Sequence, residues 1–187
     1  MEFELLAVAG PVLIRPRRLG DARGYFAETF RADLFADSVG ATAFVQDNES
    51  SSARAGTVRG LHFQSDPCAQ GKLVRCTAGA LFDVAVDIRV ASPTYGRWVA
   101  AELSAANGQQ LWVPPGFAHG FCTLAPDTVI SYKVTAYYSA AHDKGLAWDD
   151  PVIGIDWPAD ADAETLSGKD RAQPGLAGLP AYFTYEG

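Results

Sequence analysis

From Thr57 to Val134 the chain breaks into short runs bounded by turn chemistry, with no helix long enough to cross over between parallel strands. Runs at Leu81 to Ile88, Trp98 to Leu103, Gln110 to Val113, Gly120 to Leu124 and Thr128 to Val134 are separated by Ser92-Pro93, Asn107-Gly108, Pro114-Pro115-Gly116 and Ala125-Pro126-Asp127. Such a chain pairs its strands antiparallel and closes them face to face. The expected fold class is therefore all-β, a sandwich or jelly-roll barrel with short peripheral helices. Leu81 to Ile88 shows the pattern best, with Phe82, Val84, Val86 and Ile88 alternating with Leu81, Asp83, Ala85 and Asp87 as in a strand with unlike faces.

Ahead of this series, Phe3 to Leu6 and Val12 to Ile14 read as short strands, Gly20 to Gly24 as a turn, and Arg31 to Ser38 as a short helix ended by Gly40. Ala43 to Val45 reads as extended, and Ser50 to Gly56 as a surface loop. After Trp148 the sequence loosens into a Pro- and Asp-rich tail, residues 149–187, expected to pack on the barrel. At 187 residues the chain fits a single domain, 1–187, long enough to bury a core.

Composition narrows the class of function. A net charge of −7 argues against a broad nucleic-acid surface, so an anionic ligand would have to be met by local arginines and lysines. No apolar run approaches the length of a membrane span, and Met1 to Gly10 lacks the basic start and long apolar core of a signal peptide. Three cysteines, Cys68, Cys76 and Cys122, suggest neither a disulfide framework nor a zinc knuckle, and a reducing cytoplasm suits them.

The stretch Gly60 to Asp87 carries the candidate chemistry. His62 lies in Arg59-Gly60-Leu61-His62-Phe63-Gln64, and Lys72 opens Lys72-Leu73-Val74-Arg75-Cys76. If the two runs are neighbouring strands, alternation groups Gly60, His62 and Gln64 on one face and Lys72, Val74 and Cys76 on one face of the partner. A base and a cation then share one cavity; a buried histidine and a snorkelling lysine fit the same pattern. Arg59 and His62 are an odd number of positions apart and belong on opposite faces of a regular strand. Either Gly60 permits a bulge or Arg59 serves another site.

Many blocks in order resemble one family, the dTDP-4-dehydrorhamnose 3,5-epimerases, which are cupin-fold enzymes acting on nucleotide-linked sugars. They include Gly20-Asp21-Ala22-Arg23-Gly24-Tyr25-Phe26, Gln46-Asp47-Asn48, Arg59 to Gln64, Ala69-Gln70-Gly71-Lys72, Ser92-Pro93-Thr94-Tyr95-Gly96, Gly116-Phe117-Ala118-His119-Gly120-Phe121, Tyr132-Lys133, Tyr137-Tyr138-Ser139 and Gly154-Ile155-Asp156-Trp157-Pro158. The resemblance implies a cupin-type jelly-roll barrel, with His62 as base, Asp170 as its carboxylate partner, Tyr132 as acid and Lys72 beside the keto oxygen. It also implies that Arg23, Glu28, Gln46, Asp47, Asn48, Arg59, His119, Asp143 and Lys169 line the sugar-nucleotide site and that Tyr138 stacks on the base. Glu49 and Asp143 depart from the family's usual His and Glu.

The same resemblance implies a dTDP-linked 4-keto-6-deoxyhexose as substrate, no cofactor or metal, and a homodimer to which residues 1–50 contribute. Three rivals are an epimerase inverting only C3 or only C5, a metal-dependent cupin, and a non-catalytic carbohydrate-binding cupin. The chain holds only His62, His119 and His142, without an HxH pair, which disfavours a facial triad. Sugar binding alone does not require His62, Lys72, Tyr132 and Asp170 together.

Overall fold

The structure is a computed structural model describing residues 1–186. In chain order its elements begin with β1 (Glu2–Leu5), β2 (Val12–Arg15), β3 (Arg18–Asp21), β4 (Gly24–Ala27), helix α1 (Ala32–Ser38) and β5 (Gln46–Ser52). Next come β6 (Val58–Gln64), β7 (Lys72–Ala78), β8 (Ala80–Asp87), β9 (Arg89–Val90), β10 (Trp98–Ser104), β11 (Gln110–Val113), β12 (Phe117–Thr123) and β13 (Thr128–Val134). The chain ends with β14 (Asp143–Gly145), a short helix α2 (Gly168–Arg171) and β15 (Phe183–Thr184).

Two antiparallel sheets face each other in a jelly roll. One runs β1-β2-β11-β7-β13-β5 and the other β10-β8-β12-β6-β14. Leu13, Val74, Cys76, Leu81, Ala85, Leu103, Leu111, Phe117, Phe121 and Ile130 fill the space between them. Each sheet is also covered outside. The helix α1 lays Phe35 on Trp112, their rings crossing edge-on at 5.2 Å, while Ile153, Leu176, Trp157 and Phe183 of the tail pack on Leu61, Val84, Val86 and Ala118.

This double cover corrects the expectation for Leu81 to Ile88. Its faces are not unlike in exposure, because the tail buries Val84 and Val86 as fully as the interior buries Leu81 and Ala85. The strand expected at Gly120 starts earlier, at Phe117, for the same reason: every residue of β12 is buried, so no alternation marks its start.

A second correction concerns Ser50 to Ser52, expected in a loop. The whole polar run Gln46–Ser52 is an edge strand paired along its length with β13. Loop-like composition is tolerated because the inward side chains of this edge face a polar cavity, and a charged edge resists pairing with other chains.

The third correction bears on the site. His62 and Lys72 were expected on neighbouring strands, but β6 and β7 belong to different sheets, and the 65–71 connection crosses from one to the other. The two side chains therefore approach from opposite walls of the barrel.

Candidate active site

A cavity of about 350 Å³ opens between the sheets at the end of the barrel where Lys72, His62 and Tyr132 point inward. Alternation puts His62 and Gln64 inside, since Leu61 and Phe63 pack outward beneath the tail. The same rule turns Lys72 inward with Val74 and Cys76, and Tyr132 inward with Ile130. From the tail, α2 contributes Lys169 and Asp170, and the start of β14 contributes Asp143.

Arg59 also lines this cavity, which resolves the parity problem. His119 pairs with His62 but Phe121 pairs with Arg59, so three steps on β6 match two on β12, and β6 carries a bulge. Glycine is required there. Gly60 has φ of +126°, and a Cβ on it would lie 2.6 Å from the Cα of Gly120.

His62 Nε2 lies 2.5 Å from Asp170 Oδ1, and Asp170 is only 5% exposed. Burial pushes the Asp170 carboxyl upward, but the hydrogen bond and charge of His62, with hydrogen bonds from Ser167 and the Gly60 backbone, outweigh it and hold it below the usual carboxylate range. Asp170 is thus ionised at neutral pH and accepts from Nε2–H, which leaves Nδ1 as the basic nitrogen of the ring. Asp170 is itself fixed by its own turn, its N–H donating to Ser167 Oγ at 3.1 Å.

Lys72 Nζ donates to the His62 carbonyl at 3.3 Å, across the gap between the sheets. Burial drives its pKa down to about 8, against the upward pull of Asp83 and Asp143. Burial likewise raises the Tyr132 phenol, with Arg59 opposing, so Tyr132 keeps its proton at neutral pH. A histidine base, an ammonium and a protonated phenol thus share one cavity, the set needed to remove a proton next to a carbonyl, stabilise the enolate and return a proton.

Of the other residues expected in the site, Gln46, Asn48, Arg59, Tyr138, Asp143 and Lys169 line the cavity. Tyr138 donates its hydroxyl to Asp143 at 3.1 Å, and Lys169 pairs with the same carboxylate. His119 stands next to His62 on the inner face, buried, with Nε2 2.8 Å from Asp83 Oδ1, and is not among the lining residues. Asp47 points to the other side of β5 and pairs with Lys133. Arg23 and Glu28 lie far out on the N-terminal segment, Arg23 paired with Asp21 and Glu28 with Arg31.

Sequence reasoning did not single out Gln64, Gln70 or Ser167 as lining residues, or Asp83 as the partner of His119. Asp83 carried a signal. It stands among apolar residues of a central strand, where an acid has to find a partner.

A profile of the dTDP-4-dehydrorhamnose 3,5-epimerase family matches residues 5–178. The chain is 65% identical over 185 residues to the dTDP-4-dehydrorhamnose 3,5-epimerase of Sinorhizobium fredii, covering 99% of this chain and 94% of that protein. It superposes with a TM-score of 0.93 and 41% identity on dTDP-6-deoxy-D-glucose-3,5-epimerase of Legionella pneumophila, solved in complex with dTDP-4-keto-L-rhamnose, with 100% and 99% of the two chains covered. A 3'-monoepimerase from Streptomyces bikiniensis, in complex with dTDP-quinovose, matches with a TM-score of 0.91 and 32% identity over 97% of this chain and 93% of that one.

Proposed function

The chain belongs to the dTDP-4-dehydrorhamnose 3,5-epimerase family, with its cupin-type jelly roll, and from this premise we infer that it converts dTDP-4-dehydro-6-deoxy-D-glucose to dTDP-4-dehydro-L-rhamnose. The observation that carries the reading is the His62–Asp170 pair facing Lys72 and Tyr132 in one cavity. Identity to the double epimerase from Sinorhizobium is 65%, against 32% to the 3'-monoepimerase, which supports inversion at both carbons.

The 4-keto group acidifies the hydrogens on C3 and C5. His62 removes one as a proton, the electron pair moves into an enolate, and Lys72 meets the charge on the former keto oxygen. Asp170 holds the ring and stabilises the imidazolium. Tyr132 gives a proton to the opposite face of the same carbon, which inverts it, and solvent restores both groups before the second carbon reacts. One proton leaves and one returns at each centre, so the reaction needs neither redox cofactor nor co-substrate. Gln46, Asn48, Arg59, Asp143 and Lys169 meet the sugar and diphosphate, with His119 behind them, and Tyr138 stacks on the thymine.

The chain works as one domain, and its assembly is a C2 homodimer. Arg23 is 90% exposed at the tip of the β3–β4 hairpin, beside exposed Leu19, Tyr25 and Phe26, and Glu28 follows that hairpin. Neither residue lines its own subunit's cavity, so both, with Asp47, suit contact with a neighbour's substrate. The free cysteines fit a cytoplasmic setting. Among the described residues no helix is long and apolar enough to cross a membrane.

Incubation with dTDP-4-keto-6-deoxyglucose in deuterated water, followed by NMR, tests the reading. Deuterium at both C3 and C5 of an inverted sugar is expected. Inversion at one carbon alone identifies a monoepimerase, and no label removes the activity.

A further inference from the structure

The segment between β13 and β14, residues 135–142, carries two outward aromatic rings, Tyr137 at 69% and Tyr138 at 62% exposure. Rings so exposed are ordinarily mobile, yet the backbone beneath them is tied down by two side-chain amides, that of buried Gln64 and that of half-buried Gln70. Gln64, 3% exposed, ends the strand that carries His62. Its Nε2 donates to the carbonyls of Cys68 at 2.7 Å and Tyr137 at 3.1 Å, and its Oε1 accepts from the N–H of Ser139 at 2.6 Å. Only one orientation of the amide satisfies all three partners, so oxygen and nitrogen are assigned by the network itself. Gln70 repeats the device one step away, donating to the Ala136 carbonyl at 2.6 Å. The two glutamines thus bracket Tyr138, one holding residue 136 and the other residues 137 and 139.

We propose that Gln64 and Gln70 are positioning residues that hold the Tyr137–Ser139 backbone so that the Tyr138 ring is preorganised for the nucleobase, at a fixed distance from the base His62. This rests on the reading of Tyr138 as the stacking aromatic. A ring already in place loses less freedom when ligand binds, and that saving appears as affinity for the nucleotide rather than as chemistry on the sugar. The same strand then serves both ends of the substrate, with His62 for the sugar and Gln64, two residues on, for the base.

The test is titration calorimetry with dTDP alone on wild type, Gln64→Met, Gln70→Met, Tyr138→Ala and the two double variants. Each glutamine variant should raise the dTDP Kd on the order of tenfold when Tyr138 is present, and have little effect on the Tyr138→Ala background. With the full sugar nucleotide, KM should rise more than kcat falls. Gln64→Glu should be worse than Gln64→Met, since it sets a carboxylate oxygen against two carbonyls. If the penalties persist undiminished on the Tyr138→Ala background, or if Kd does not move, the proposal is overturned. If Tyr138→Ala itself binds dTDP as wild type does, the stacking role fails and the proposal falls with it. Should Gln64→Met not fold, Gln70→Met carries the same cycle.

Discussion

Replacing Lys72 by methionine should stabilise the protein while removing its activity, and the size of the gain should depend on pH in a defined window. Lys72 falls from an ordinary 10.5 to about 8 because burial penalises its charge more than Asp83 and Asp143 favour it. The gap corresponds to about 3 kcal/mol. A base whose pKa is lower in the folded state holds fewer protons there than in the unfolded chain between the two values. The cost is therefore present in full below about pH 8 and relieved as pH rises toward 10.5. Methionine does not titrate but also lacks the hydrogen bond to the His62 carbonyl, so the change with pH in the stability difference between variant and wild type reports this contribution. Urea unfolding at pH 7 and at pH 10 should show an advantage for Lys72→Met of at most about 3 kcal/mol at pH 7, shrinking at pH 10. In parallel, wild-type kcat/KM should decline as pH rises past about 8, when the ammonium that meets the enolate is lost. A stability difference independent of pH, or a less stable Lys72→Met at pH 7, refutes the reasoning.

His62→Asn should abolish deuterium exchange at both carbons while circular dichroism and dTDP affinity stay near wild type; loss of folding instead would make the histidine structural. Gly60→Ala should lose several kcal/mol in urea unfolding, because the new Cβ meets the Gly120 backbone at 2.6 Å with φ at +126°; a stable variant would show that the bulge does not need glycine. Light scattering at micromolar concentration should give the mass of two chains, and Arg23→Ala should raise KM in that dimer; a monomer of full activity would remove the partner from the site.

Much of the fold was legible because turn chemistry is local. Asn107-Gly108 and Pro114-Pro115-Gly116 flank Gln110–Val113, which is a strand with the bounds expected, as is Thr128–Val134. Sequence reasoning failed where tertiary cover erased local signals. The tail makes β8 and β12 buried on both faces, and Ser50 to Ser52, the end of the all-polar β5, reads as loop until β13 is there to pair with it. The inward grouping of His62 with Gln64 and of Lys72 with Val74 came from period two alone. Their meeting across two sheets did not, since alternation gives a face and not a neighbour. Asp170, 108 positions from His62, had no local signature and entered only through the family resemblance. Gln64 and Gln70 lay in motifs noted for other residues, and their hydrogen bonds run to backbone atoms that no side-chain pattern reveals.

The claim that a base and an acid act from opposite faces is tested most directly by Tyr132→Phe in deuterated water. The variant keeps the ring against Ile130 and removes only the hydroxyl, so the cavity survives. His62 and Lys72 remain, so substrate hydrogen should still wash out and label should enter C3 and C5 with configuration retained. Net inversion should slow by on the order of 10²–10⁴-fold. Inversion of both carbons at the wild-type rate would contradict the account.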